Sequence, residues 1–305
     1  MGAGTGFATE VMRQAVRVAG LYRREKFVRR VISAAILAPI AMYGAFLGGP
    51  AFAALVGVIS IVMIFEWTRM TEGREFGPGF VALALSAVPA FIFAAAGAFG
   101  PAFAAAAAGG AATIIVGVKD ASVQASGPYI MRLRRVWSAA GAIYVVAPCL
   151  ALLWLRARPE DGLELVVMIL VAIWATDTGA YVAGTLIGGP KLSPWASPKK
   201  TWAGLMGGLA LASAACIALA AFWGASDAPR PLVHALTGAC LAVVAQIGDV
   251  VESAVKRLFG IKDVSSLIPG HGGALDRLDG MIFATAATAL VVAGAEFLSA
   301  AGLAL

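Results

Sequence analysis

Apolar runs of roughly 20 residues recur along the chain from residue 31 onward, and short segments between them hold most of the charges. A helix of that length crosses a bilayer core of about 30 Å. The pattern therefore predicts an all-α, polytopic integral membrane protein with about nine transmembrane helices. Their approximate bounds are 31–49, 51–67, 78–97, 100–118, 137–155, 163–187, 203–224, 232–255 and 279–300.

The composition agrees with a membrane location. Hydrophobic residues make up 60% of the chain and charged residues only 13%, whereas soluble domains carry about 25% charged residues. The three cysteines, Cys149, Cys216 and Cys240, each lie within an apolar run and form no C-x-x-C pair. We therefore expect buried apolar side chains at these positions, and neither metal ligands nor disulfides.

The basic residues predict an orientation. Nine crossings put the termini on opposite sides of the membrane, and a cytoplasmic N-terminus places 20 of the 23 basic residues on the cytoplasmic side. We therefore expect a basic cytoplasmic segment, 1–30, followed by N-terminal transmembrane helices, 31–160, and a C-terminal transmembrane region, 161–305. Segment 1–30 has no cleavage-site pattern of a signal peptide, and it is expected to lie on anionic headgroups as a topology determinant, with specific lipid binding as the alternative.

A first polar cluster lies in 174–204, "WATDTGAYVAGTLIGGPKLSPWASPKKTWAG". Asp177 falls inside the sixth apolar segment. The glycines at 184 and 189 have the spacing of a phosphate-binding P-loop, but Pro190 replaces the lysine, which excludes that motif. Lys199 and Lys200 could bind phosphate oxygens, or they could simply follow the positive-inside rule, and the pattern leaves both interpretations open.

A second cluster lies in 245–257, "AQIGDVVESAVKR". On a helix, Asp249, Ser253 and Lys256 fall at positions i, i+4 and i+7, which share one face. These residues could form a functional site or a simple ion pair between Asp249 and Lys256.

The third cluster lies in 267–280, "LIPGHGGALDRLDG", where proline and glycines interrupt the chain before the last apolar run. Asp276 and Asp279 then stand at i and i+3 in the first turns of a helix, where the helix dipole favours negative charge. The dipole does not explain why further polar residues crowd the same loop: Lys262, Asp263, His271 and Arg277.

Together, Asp249, Asp276 and Asp279 supply carboxylates from two helices at one membrane depth, flanked by lysines and arginines. Carboxylates with open positions suit Mg²⁺, which keeps phosphate oxygens and waters as its other ligands. Phosphoryl and nucleotidyl transfer need this positioning and charge neutralisation, with one metal or with two. A zinc site at His271 is disfavoured because no second histidine or cysteine is near.

The stretch "SAVKRLFGIKDVSSLIPGHGGALDRLD", 253–279, resembles the signature of CDP-diacylglycerol synthases, also called phosphatidate cytidylyltransferases. The resemblance extends upstream through "AQIGDVVES", "SPKKTW" and "DTGAYVAG", so it covers about 165–300. The N-terminal half resembles the family only in hydropathy and in "FEW" at 65–67. Three residues depart from the family pattern: Ser265 replaces a common glycine, Ala274 a larger aliphatic residue, and Ala203 a glutamate or glutamine.

The resemblance implies that CTP and phosphatidic acid react to give CDP-diacylglycerol and pyrophosphate, in a catalytic region within 161–305. It implies Mg²⁺ at Asp249 and Asp276, with Asp279 as a further ligand or support, and a monovalent cation such as K⁺ beside it. The implied catalytic residues are Asp249, Lys256, Asp276 and Asp279. The implied substrate-binding residues are Lys199, Lys200, Ser253, Arg257, Lys262, Asp263, His271 and Arg277.

The resemblance also implies a homodimer. We expect a multi-pass protein of a bacterial plasma membrane whose site faces the cytoplasm, with no nucleic-acid partner.

Two rival functions remain. A CTP-dependent kinase of a membrane alcohol shares the nucleotide but not the full signature. A transporter could use Asp177 and Glu296 as coupling carboxylates within the membrane. It would need its charges near the midplane, but here they concentrate at the predicted cytoplasmic ends of the helices.

Overall fold

The computed structural model describes residues 35–116, 128–195, 197–223, 231–265 and 272–303. The basic segment 1–30 lies outside the described residues. The helices are α1 (Ala35–Leu47), α2 (Gly49–Glu72), α3 (Pro78–Ala95), α4 (Phe99–Val116), α5 (Pro128–Ala139), α6 (Ala147–Arg156), α7 (Gly162–Leu186), α8 (Trp202–Trp223), α9 (Pro231–Leu258) and α10 (Leu275–Ala300). A π-helix, Ala142–Val146, lies between α5 and α6, and a hairpin of β1 (Lys191–Ser193) and β2 (Ser197–Thr201) precedes α8.

Eight helical segments of the described residues are long and apolar enough to cross a membrane. The segment Arg132–Arg156 counts as one of them, and it comprises most of α5, the π-helix and α6. The described part of the first predicted segment is the 13-residue helix α1. The prediction of an all-α, polytopic membrane protein is confirmed. The orientation of the termini and the division into regions stay predictions.

Two local features differ from the sequence interpretation. The segment 191–201, expected as a loop, forms an antiparallel hairpin that pairs Lys191 with Thr201 and Ser193 with Ser197. Its strands have three and five residues, which is too short for a periodic pattern to stand out. The last helix begins at Leu275 rather than 279, so Asp276 and Asp279 lie in its first two turns, as predicted.

Small residues let the C-terminal helices pack closely. A Cβ atom added at Gly207 of α8 would lie 2.7 Å from the carbonyl oxygen of Gly179 on α7, and one at Gly238 of α9 would lie 2.5 Å from the carbonyl oxygen of Ala212 on α8. Close backbone approach at small residues is typical of helix pairs in membranes. These contacts place α7, α8 and α9 side by side, while α10 packs against α9 and α6.

The large buried side chains lie mainly in the N-terminal half. Trp67, Met63, Leu83 and Leu150 are almost fully buried, and they join α2, α3 and α6 into one core. The side chain of Trp67 also donates a hydrogen bond to the carbonyl oxygen of Trp137 at 2.7 Å. This core supports the helices on which the polar clusters lie.

The bundle has polar groups at two separate ends. At one end, Arg158 donates a hydrogen bond to Asp161 at 2.7 Å and forms an ion pair with Glu296 near the end of α10. Asp276 lies at the other end of α10, twenty residues away, which is about 30 Å along a helix. We call the segment 267–280 the signature loop. The ion pair of Glu296 with Arg158 lies at the other end of the bundle from Asp276 of this loop.

Candidate active site

Two carboxylates meet where α9 crosses α10. A Cβ atom at Gly248 would lie 2.7 Å from the carbonyl oxygen of Asp279, and one at Gly280 would lie 3.3 Å from Asp249 Oδ1. These glycines thus allow Asp249 of α9 and Asp279 of α10 to lie side by side. Asp279 is buried, and its Oδ1 accepts a hydrogen bond from the Gly280 amide at 2.8 Å.

Lys200 approaches this pair from the hairpin. Its ammonium group forms an ion pair with Asp249 Oδ2, and both side chains are about one-quarter exposed. The hairpin places the lysine here because β2 ends directly before α8, which packs against α9. Lys200 of "SPKKTW" therefore lies against the second polar cluster.

Lys256 connects α9 with the signature loop. Its Nζ lies 2.6 Å from Glu252 Oε2 and 2.7 Å from Asp276 Oδ1. The second oxygen of Asp276 accepts a hydrogen bond from the Gly273 amide at 3.1 Å. All three charged side chains are largely buried. The alternative of an ion pair between Asp249 and Lys256 is wrong, because the two residues take different partners across the helix interfaces.

A third helix contributes Asp177. Its carboxylate lies on α7 within electrostatic range of Asp249, Lys200 and Arg277. Asp279 is likewise within range of Asp249 and Glu252, and Glu252 within range of Asp276. We call these five carboxylates the acidic cluster: Asp177, Asp249, Glu252, Asp276 and Asp279. The cluster draws on three helices, and Lys200 and Lys256 form ion pairs within it.

The remaining predicted residues surround this cluster or lie apart from it. Ser253 is partly buried on α9, one turn after Asp249. Four basic residues are exposed at the same end of the bundle: Lys199, Arg257, Lys262 and Arg277. The predicted substrate contacts of all five stay predictions.

Asp263 lines a cavity of about 430 Å³ together with Arg69, Arg74 and Arg134, and no member of the acidic cluster lines that cavity. His271 lies outside the described residues, so its place in the site stays a prediction.

The sequence interpretation did not select Glu252 or Tyr144. Tyr144, in the π-helix, stacks on Trp67 with ring centroids 4.5 Å apart, and it lies within electrostatic range of Asp249, Glu252 and Asp279. Among the described residues, the Tyr144 hydroxyl and Glu252 Oε1 are buried without a hydrogen-bond partner. Glu252 could have been found from its charge inside a membrane segment, whereas Tyr144 carries no motif. π-Helical turns often occur at functional sites.

The donor set of this site fits a hard divalent cation. Within the described ranges, no three histidine, cysteine, aspartate or glutamate side chains converge closely enough to hold a metal ion by themselves. Asp249 and Asp279 lie together, and Glu252 Oε1 has no partner. Mg²⁺ is typically bound through one or two carboxylates, with substrate phosphates and waters as its other ligands. The arrangement is therefore compatible with the predicted Mg²⁺ and does not resemble a closed zinc site.

The chain is similar over most of its length to known proteins of one family. Residues 28–294 match the model of the cytidylyltransferase family. The phosphatidate cytidylyltransferase of Brucella suis biovar 1 (strain 1330) is 35% identical over 272 residues, which cover 88% of this chain and 93% of the relative. That of Mycobacterium leprae (strain TN) is 42% identical over 128 residues, covering 42% of this chain and 40% of the relative. The chain therefore belongs to the cytidylyltransferase family, as its resemblance to CDP-diacylglycerol synthases predicts.

Proposed function

We propose that the chain is a phosphatidate cytidylyltransferase, which makes CDP-diacylglycerol and pyrophosphate from CTP and phosphatidic acid. Membership of its family makes it a nucleotidyltransferase, and relatives that match most of its length carry the name phosphatidate cytidylyltransferase. The observation that carries the proposal is the acidic cluster, in which the signature residues Lys256, Asp276 and Asp279 meet Asp249 and Lys200.

The reaction is a displacement at phosphorus. An oxygen of the phosphatidate headgroup attacks the α-phosphorus of CTP and forms a new P–O bond, while the bond between this phosphorus and the α–β bridging oxygen breaks. The bonding electrons leave with pyrophosphate. Lys200 and Lys256 are positioned to neutralise phosphate oxygens, and Arg257, Lys262, Arg277 and Lys199 bring further positive charge from the exposed rim. Such positioning and charge neutralisation supply most of the catalysis of phosphoryl-type transfers.

Asp249 and Asp276 would hold Mg²⁺, with Asp279, which lies beside Asp249, as a further ligand or support. When bound, the ion neutralises charge on the triphosphate and polarises the attacked phosphorus. The side chain of Asp276 accepts hydrogen bonds from Lys256 and the Gly273 amide, and these contacts orient its carboxylate toward α9. A monovalent cation such as K⁺ beside the Mg²⁺ is part of the same proposal.

The depth of the cluster suits one soluble substrate and one lipid substrate. Asp249 lies nine residues before the end of α9, and Asp177 nine residues before the end of α7, which is about 13 Å along each helix. A phosphatidate headgroup can reach this depth from the leaflet, while CTP enters from the exposed basic rim. We place this end at the cytoplasmic face of a plasma membrane, because the basic residues concentrate there, and we propose that the protein acts as a homodimer.

The test is pyrophosphate release by the purified protein in detergent, from CTP and Mg²⁺ with and without phosphatidate. We expect release that requires the lipid, and a loss of at least about 100-fold in Asp276→Asn, the scale of losing one group that stabilises transition-state charge. Asp161→Asn, at the opposite end of the bundle, is the matched control and should keep full activity. Release without lipid, or release that Asp276→Asn leaves unchanged, contradicts the proposal.

A further inference from the structure

Glu66, on α2, is a fully buried carboxylate in the N-terminal half of the chain. Burying an ionised carboxylate is costly unless hydrogen bonds compensate for the lost water. Its Oε1 accepts a hydrogen bond from the Ala274 amide at 3.0 Å, and its Oε2 accepts one from the Leu275 amide at 2.8 Å. The hydroxyl of Ser265 donates a third hydrogen bond to Oε1. All three donors belong to the segment that leads into α10.

These contacts supply a cap that α10 lacks locally. The first amides of any helix have no partner within the helix, and a serine, threonine, aspartate or asparagine at the N-cap normally accepts from one of them. The N-cap of α10 is Ala274, and its side chain makes no capping hydrogen bond. Glu66 takes over this role from another helix, and its negative charge also suits the positive end of the helix dipole.

The same contact explains a glycine of the signature. A Cβ atom at Gly273 would lie 2.8 Å from Glu66 Oε2 and 3.0 Å from Glu66 Cδ, so only glycine lets the carboxylate reach the helix terminus without displacement. The preceding Gly272 has φ +86°, a conformation that glycine adopts at little cost. The two glycines of "HGG" therefore have different functions, and Gly273 is needed for Glu66.

We propose that Glu66 is a positioning residue of the active site, which fixes the first turn of α10 and so holds Asp276 and Asp279 against α9. The inference rests on the proposed function for its effect on catalysis. Asp276 follows the capped amide of Leu275 by one residue, and Asp279 lies in the next turn. A shift of this turn would move both carboxylates relative to Asp249 and Lys256, and a misplacement of about 1 Å can lower a rate by roughly 100-fold.

The experiment compares Glu66→Gln with Glu72→Gln. Both glutamates are buried on α2, but Glu72 accepts a hydrogen bond from Ser138, at 2.7 Å, and within the described residues no hydrogen bond joins it to the signature loop. Two quantities are measured in detergent: amide hydrogen exchange of the peptides covering 272–280, and kcat and KM for CTP in phosphatidate-dependent pyrophosphate release. A third variant, Gly273→Ala, leaves the Glu66 carboxylate intact but obstructs its approach.

We expect Glu66→Gln and Gly273→Ala to exchange the 272–280 amides at least about tenfold faster than wild type, and to lose roughly 10- to 100-fold in kcat with KM for CTP changed less than about threefold. Glu72→Gln should leave both quantities near wild type even if it lowers the unfolding temperature. Faster exchange throughout the protein in Glu66→Gln, or unchanged exchange of 272–280, would overturn the inference.

The two measurements also separate the two proposals. If wild-type protein gives no lipid-dependent release, the proposed function fails, and the exchange comparison still decides whether Glu66 holds the first turn of α10. If wild type is active and Glu66→Gln shows faster local exchange with an unchanged kcat, the cap exists but does not position the catalytic carboxylates, and the inference is wrong.

Discussion

Lys256 shows how strongly single side chains of this site depend on one another. Its ammonium group lies between Glu252 and Asp276, and all three side chains are at most 13% exposed. In a largely buried triad, the two carboxylates repel each other once the cation is removed, because little water is present to solvate them. The charge of Lys256 therefore contributes to the stability of the fold as well as to the proposed chemistry.

We expect Lys256→Met to lower the free energy of unfolding by about 3–5 kcal/mol, the range for removing one partner of a buried ion pair, and to abolish activity. Thermal unfolding in detergent measures the first effect. The double variant Lys256→Met/Glu252→Gln should regain part of the stability but none of the activity. Lys191→Met, at an exposed lysine of the hairpin, is the control. If Lys256→Met is as stable as wild type, Lys256 does not stabilise the fold through Glu252 and Asp276, and this account is wrong.

At the scale of elements, the crossing of α9 and α10 decides whether the acidic cluster forms. Gly248 lies against the backbone of Asp279, and Gly280 against Ala245 and Asp249. Two helices approach this closely only where side chains are absent from the interface. Asp249 and Asp279 therefore lie side by side because each helix has a glycine at the crossing. Gly248 directly precedes Asp249 on α9, and Gly280 directly follows Asp279 on α10.

Gly248→Ala tests this crossing. The new methyl group would lie 2.7 Å from the carbonyl oxygen of Asp279, which is too close, so α9 and α10 must separate by a few tenths of an ångström or more. We expect a loss of activity of roughly tenfold or more, because Asp249 and Asp279 would no longer lie at their wild-type separation. Gly294→Ala on α10, where an added Cβ meets nothing within 4 Å, should be active and as stable as wild type. Equal activity of the two variants would contradict this account.

The sequence predicts elements better than their contacts. Helix positions follow from apolar runs whose length matches a bilayer, and Asp276 and Asp279 fall in the first turns of α10 because prolines and glycines interrupt the chain before them. The common face of Asp249 and Lys256 is predictable from helical periodicity. Their actual partners, Lys200 for Asp249 and Asp276 for Lys256, depend on how closely separate helices approach.

The contacts of three other features of the site could not be predicted from the sequence, although Glu66 belongs to the "FEW" at 65–67 that resembles the family. Glu66 lies about 200 residues from the amides that it caps, and no periodic pattern links positions so far apart. Tyr144 reaches the acidic cluster from a π-helix of five residues, within an apolar run that reads as uninterrupted. The hairpin 191–201 is too short for alternation to be visible. Each of these features depends on tertiary packing, which a local pattern does not encode.

Across the bundle as a whole, the charged side chains of α10 divide between two ends about 30 Å apart. Glu296 pairs with Arg158 beside Asp161, far from the acidic cluster. It lies four residues before the end of α10, whereas a transporter would need a coupling carboxylate near the middle of the helix. Asp177, the other carboxylate considered for transport, lies within electrostatic range of the acidic cluster. The two carboxylates of the transporter hypothesis therefore have no common site.

We expect Glu296→Gln to keep pyrophosphate release within about twofold of wild type, because the ion pair with Arg158 is partly exposed and such pairs contribute only about 0–1 kcal/mol. Asp177→Asn, measured beside it, should reduce activity clearly, because its charge acts on Asp249 and Lys200. Equal losses in the two variants would indicate that both ends of the bundle belong to one functional unit.

The cap from Glu66 also has a consequence for modular engineering. Residues 161–305 contain the entire signature and every carboxylate of the acidic cluster, so a fragment of this region would seem to carry a complete catalytic unit. At the start of its last helix, however, the amides of Ala274 and Leu275 lose their acceptor, Glu66, unless α2 is present. Chimaeras that join this half to a foreign N-terminal bundle would therefore have to retain a glutamate at the position of Glu66, and a split protein would regain its order only when both pieces reassociate.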